Sequence, residues 1–235
     1  MSPHAHHHGP PEVPSAIAIA PPATLKAPEV SSLKLLATLA IAGAAAGLLV
    51  VAVYKATLPT IEKHEAAKVE GAVREVLKAP ARWDTLYLQN GALTKSPVPG
   101  DDRKALPTAY LGFDASGKTL GAAVTAQEPG FQEEVLLMIG FEPSRRTLIG
   151  FKVLEEKETP GLGDKIERDT SFASQFVGRV APLKGVKRRD ATDPSQVQTI
   201  TGATISSRAV IRIINHAVER WQPLLAAYQK LGEMR

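Results

Sequence analysis

EVLLMIGFEPSRRTLIGFKVLE, residues 134–155, places two apolar runs on either side of the tetrapeptide Pro143-Ser144-Arg145-Arg146. Each run has strand length and is rich in Val, Ile, Leu and Phe, so the stretch reads as an antiparallel hairpin. Upstream, TAYLGFD (108–114) and TLGAAVTA (119–126) flank the turn residues DASGK and read as another hairpin. IEKHEAAKVEGAVREVLKA (61–79) puts Val69, Val73, Val76 and Leu77 on one face, which predicts an amphipathic helix ending before Pro80. After the second hairpin, IERDTSFASQFV (166–177) predicts a short helical stretch. Near the C-terminus, Val210, Ile213, Ile214, Ala217, Val218, Trp221, Leu224, Leu225 and Tyr228 keep a 3-4 spacing, which predicts a long helix with one apolar face. Two antiparallel hairpins with helices at both ends imply an α+β fold, with one soluble domain over residues 60–235.

The N-terminal quarter follows different physics. Residues 1–32 carry 7 of the 18 prolines and four of the six histidines, and they read as a disordered His/Pro-rich tail. His4, His6, His7 and His8 make weak metal binding one reading of that tail and a solvated low-complexity segment the other. LLATLAIAGAAAGLLVVAVY, Leu35 to Tyr54, follows without a charge or a proline and is bracketed by Lys34 and Lys55. Its 20 residues span ~30 Å as a helix, one hydrocarbon core. A single transmembrane helix is therefore expected over residues 33–55. Gly43 and Gly47 form a G-x-x-x-G, compatible with close helix packing in a bilayer. Lysines on both sides leave the positive-inside rule nearly silent on orientation.

Composition removes several function classes. The chain has no cysteine, so disulfides, thiolate zinc sites and cysteine-ligated iron–sulfur clusters are excluded. Lys and Arg total 28 against 24 Asp and Glu, interleaved, and aromatics make up 5%, so no nucleic-acid partner is expected. The sequence lacks a G-x-S-x-G, an H-E-x-x-H, a Walker loop and a dinucleotide-binding G-x-G-x-x-G. Outside the tail only His64 and His216 remain, and each reads as a surface or packed residue, so no catalytic residue is assigned.

Two glycine-bearing stretches stand out. ETPGLGD, Glu158 to Asp164, combines a fixed φ at Pro160 with the freedom of Gly161 and Gly163. Such a loop either holds a flat or anionic ligand on its backbone or is a plain strand-to-helix turn. TITGATISS, Thr199 to Ser207, leads into the long amphipathic helix. Either one of Thr201, Thr204, Ser206 and Ser207 caps the helix, or its free N–H groups bind an anion, with a threonine hydroxyl open to esterification by phosphate.

From about Ala123 to Ala217 the chain resembles the FMN-binding domain of the G subunit of Rnf electron-transport complexes, and is similar to the C subunit of Na+-translocating NADH:quinone reductase. LLMIGFEPSRRTLIGFKVLEEKETPGLGDKIE and TITGATISSRAV carry the resemblance, and Thr201-Gly202-Ala203-Thr204 matches the S/T-G-A-T signature. GDKIE and SSRAV favour the Rnf-like branch. The resemblance implies that Thr204 bears FMN through a phosphoester bond. It places Glu158, Thr159, Leu162, Gly163 and Lys165 along the ring or ribityl chain. Gly202 and Ala203 would stand at the anchor, and Ser206 and Ser207 against the phosphate. The pattern departs at Gln198, where members have an Asp six residues before the modified Thr, and at Phe172, where many have a Trp.

The implied function is that of a redox subunit in a translocase complex. A single-pass subunit of the cell inner membrane would hold one covalent FMN on its periplasmic side, in a complex linking reduced ferredoxin to NAD. Its partners would be the other membrane subunits and, during maturation, a flavin transferase. Three alternatives stay open: a C-type subunit of the quinone reductase, a stand-alone extracytoplasmic flavin carrier, and an unflavinylated membrane-tethered scaffold.

Overall fold

The structure, a computed structural model, describes residues 31–97, 106–190 and 192–233. All but the last two residues of the expected tail, including its four histidines, lie outside them. Contacts divide the chain after Ala56.

From Ser32 onward the first unit is helical and belongs to α1, Ser32–Val76. Leu33, Leu36, Leu39, Ile41, Leu48 and Val50 are all exposed. This is the one helix among the described residues long and apolar enough to cross a membrane. The expected juxtamembrane helix is not a separate element, because α1 continues through Pro59 and stops at Val76. Proline removes one donor from the helical ladder, and the rest of the ladder carries the helix past it. The true stop lies at Lys78 and Ala79, both at φ +58.

The second unit, residues 57–235, is built on a six-stranded antiparallel sheet. Its strands are β1 (Arg82–Gln89), β2 (Ala92–Thr94), β3 (Thr108–Phe113), β4 (Thr119–Pro129), β5 (Glu134–Glu142) and β6 (Thr147–Glu155), in the order β2-β1-β3-β4-β5-β6. Both expected hairpins form, β3 with β4 through Tyr110 opposite Ala123, and β5 with β6 through Ile139 opposite Phe151. Beyond β6 lie α2 (Lys165–Arg168), α3 (Thr170–Ser174), a parallel pair of short strands β7 (Lys184–Val186) and β8 (Gln196–Gln198), and α4 (Thr204–Glu233). The single helical stretch expected over 166–177 is broken at Asp169, whose carboxylate accepts from the amides of Ser171 and Phe172 and starts α3 afresh.

Side chains alternate across the sheet, and each face has its own cover. Leu86, Leu111, Val124, Leu137 and Ile139 belong to the core that includes Val210, Ile213, Ile214, Trp221 and Leu225 of α4. Ala123, Met138 and Leu154 point the other way, into a smaller core with Val73, Val76 and Leu77. A register shift between Gly140 and Phe141 sets Gly150 opposite Gly140 but Leu148 opposite Phe141. The shift lets Leu148 and Phe151 share the α4 face despite their odd spacing. Phe151, Phe172 and Phe176 meet edge to face, with centroids 4.7 to 6.3 Å apart, and tie α3 to β6. Each fully buried Val, Leu, Ile or Phe stabilises the fold by ~1.5–3 kcal/mol, so α4 is held mainly by its apolar face.

Candidate functional site

Three segments far apart in sequence converge at the start of α4: the β4–β5 turn, the loop after β6, and the Thr199–Ser206 segment. The last begins with a turn in which the Ala203 amide donates to Ile200 O at 3.0 Å. Gly202 lies in that turn at φ +86, a conformation that strains any residue with a Cβ. Ser207 closes the turn from inside: its Oγ accepts from the Ile200 amide at 3.0 Å and donates to Ala203 O at 2.8 Å.

This arrangement leaves the helix uncapped. The residue before α4 is Ala203, which has no side-chain oxygen to offer, and among the described residues no acceptor meets the amides of Thr204, Ile205 and Ser206. Those donors sit at the positive end of a 30-residue helix. A helix end in this state suits an anion.

Beside it lies a cavity of about 330 Å³. Thr159, Leu162 and Gly163 form one side, Gly202 to Ser206 another, and Phe131 a third. Phe131, Leu162 and Ile205 are 59%, 48% and 56% exposed, an unusual set of large apolar surfaces around one hollow. Two larger hollows lie elsewhere, one lined mainly by Glu and Lys and one beside Trp83 and Tyr110. Neither contains a free helix end, so chemistry rather than size selects the smaller one.

Glu158 is buried behind this cavity, 5% exposed. Its Oε1 accepts from the amides of Phe131 and Gln132 at 2.7 and 3.2 Å, and its Oε2 accepts from Ser206 Oγ at 2.6 Å. Gly163 borders the cavity with its backbone, but a Cβ there would stand 2.7 Å from Glu158 Oε2 and 3.0 Å from Ser206 Oγ. The glycine thus makes room for the carboxylate. Asp164, also buried, places Oδ2 3.4 Å from Arg168, while its Oδ1 has no partner among the described residues.

Glu128 at the end of β4 pairs with two residues of α4. Arg212 Nε lies 2.9 Å from one carboxylate oxygen and His216 Nδ1 2.7 Å from the other. Partial burial works to raise the Glu128 carboxyl, but hydrogen bonds from Arg212 and His216 outweigh it and hold the group below its ordinary value.

Of the residues singled out in the sequence, Thr204, Gly202, Ala203, Ser206, Thr159, Leu162 and Gly163 are brought together around the cavity. Thr201 is exposed outside it, and Lys165 lies in α2 away from its lining. Ser207 and Glu158 are turned inward, and the protons of Ser206 and Ser207 already go to Glu158 and Ala203 O. Backbone amides, together with Thr204, are what the helix end offers to a phosphate.

The G subunit of an ion-translocating oxidoreductase complex from Methanosarcina acetivorans is 30% identical to the chain over 186 residues, covering 79% of it and 92% of the relative. The chain belongs to this G-subunit family. Within it, residues 130–219 match the FMN-binding domain family, a range that includes every wall of the cavity. The G subunit of a proton-translocating ferredoxin:NAD(+) oxidoreductase complex from Clostridium ljungdahlii is 34% identical over 103 residues, 44% of this chain and 54% of that one. Among solved structures, NqrC from Shewanella oneidensis shares the fold with a TM-score of 0.52 at 21% identity, covering 66% of this chain and 88% of that one. Two walls of the cavity, Phe131 and Ile205, were not singled out by the sequence. Phe131 follows Gly130 in a turn, and no motif in the sequence around it marks it.

Proposed function

We propose that this chain is a membrane-anchored electron-transfer subunit of an Rnf-type ion-translocating ferredoxin:NAD oxidoreductase complex, carrying one FMN joined to Thr204 by a phosphoester bond. The observation that carries the reading is the head of α4. Thr204 opens the helix beside three free amides, at the edge of an apolar-walled cavity of about 330 Å³. Phosphate negative charge is favoured at the amides, and a flat ring suits Phe131, Leu162 and Ile205. The residues present therefore fit FMN.

Bound FMN supplies the redox chemistry, while the protein supplies attachment, orientation and electrostatics. Thr204 Oγ1 would hold the group: attachment would form a bond from Oγ1 to phosphorus as the pyrophosphate bond of a flavin dinucleotide donor broke, with the nucleoside monophosphate as leaving group, the hydroxyl proton passing to water and no change of oxidation state. A flavin transferase is the partner for this step, and the other membrane subunits are the partners for electron transfer. The cavity-bearing domain lies on the periplasmic side of the inner membrane.

Intact mass of the membrane-extracted protein tests the anchor. Expression with an active flavin transferase should add ~438 Da, FMN less water. Thr204→Ala should abolish the addition and Thr201→Ala should retain it at least in part. An unmodified wild-type mass under those conditions would leave the scaffold reading in its place.

A further inference from the structure

Glu158 is the point at which the three walls of the cavity are joined. Its carboxylate has donors on two segments remote from its own, the Phe131-Gln132 turn and the first turn of α4, and none of its three donors carries a positive charge. The contact with Ser206 bridges 48 residues of sequence and that with Phe131 bridges 27. Gly130 and Gly163 keep the space around it clear, since a Cβ on either would collide with a carboxylate oxygen.

The Ser206 hydroxyl donates to Glu158 Oε2, so its proton is directed inward. Ser207 gives its proton to Ala203 O. Of the hydroxyls in the first turn of α4, that of Thr204 alone is engaged by no described group. Phe131, fixed by its amide on Glu158, is a wall of the same cavity.

We propose that Glu158 is the positioning residue of the anchor: its carboxylate clamps the Phe131 turn to the first turn of α4 and withdraws Ser206, leaving Thr204 as the hydroxyl presented for attachment. This rests on the reading of Thr204 as the FMN-bearing residue. Glu158 acts through Ser206 and Phe131.

The test is FMN occupancy of the full-length, membrane-extracted protein, expressed with a flavin transferase, read by intact mass and located by peptide mapping. Glu158→Ala opens the clamp, and attachment should slow by up to ~10²-fold, as a misplacement of about 1 Å does, so that occupancy of the folded protein after a fixed expression time falls well below wild type. Glu158→Gln should restore most of it, because the amide oxygen accepts from the two backbone N–H groups and the amide nitrogen donates to Ser206 Oγ. Ser206→Ala removes one arm of the clamp and should lower occupancy by a smaller factor. A merely structural Glu158 would lower the melting temperature and leave the occupancy of the folded fraction unchanged. Wild-type protein without an adduct overturns the FMN reading and this proposal with it. Modified wild-type beside a folded, fully occupied Glu158→Ala overturns this proposal alone. So does a folded Glu158→Gln as poorly occupied as Glu158→Ala. Should Glu158→Ala fail to fold, full occupancy in Ser206→Ala overturns the clamp.

Discussion

The carbonyl oxygen of Val76 lies 2.6 Å from the point where a Cβ on Gly140 would stand. The end of α1 therefore rests directly on the backbone of β5, and the glycine is there for closeness. Gly140→Ala should push the helix end off the sheet and lower stability by ~1–3 kcal/mol. Gly112 is a useful comparison, since a Cβ there meets Leu77 Cδ1, the far end of a flexible side chain, at 2.7 Å. Gly112→Ala should cost less than Gly140→Ala in denaturant melts of the detergent-solubilised protein. Equal costs would mean that backbone contact at Val76 is not what limits the site.

Ala203 stands where a capping residue would normally sit. Ala203→Ser offers an oxygen to the free amides of α4 and should stabilise the folded protein by ~0.5–2 kcal/mol. The same oxygen competes with phosphate for those amides, so FMN occupancy should fall. Thermal melts and intact mass on the same samples check the two halves. A variant that gained stability with undiminished occupancy would show that the phosphate does not use these donors.

Glu128 predicts a loss of stability in acid. Its folded-state pKa is lowered, chiefly against the opposing effect of burial, by Arg212 and His216. The contribution is therefore present above the unfolded glutamate value of ~4.3 and is lost as pH falls through the lower folded value. Glu128→Gln should be less stable than wild type at neutral pH, and the gap should close at strongly acidic pH. Urea melts across that range check the sign; a gap that widened in acid would contradict the pairing.

Orientation is tested from outside the cell. Protease added to spheroplasts should digest the chain beyond residue 60 and spare the N-terminal tail. The opposite pattern would place Thr204 on the cytoplasmic side.

Much of the fold was legible because its signals are local. The 3-4 spacing from Val210 to Tyr228, the uncharged run from Leu35 to Tyr54 and the two hairpins each follow from side chains close in sequence. ETPGLGD and TITGATISS were legible for the same reason, as glycine-bearing stretches leading into helices. The tertiary structure alone decided the rest. Strands β2, β7 and β8 are three residues each, too short to carry a period, and exist because partners line up beside them. The sequence separates a span ending at residue 55 from a helix beginning at residue 61, yet one helix runs through Pro59 between them. Within the site, Glu158 and Ser207 turned away from the cavity while Phe131 joined it. Sequence carries residue type and spacing. The direction of a side chain at a loop is set by which distant donor or acceptor reaches it, and at Glu158 those donors stand 26 to 48 residues away.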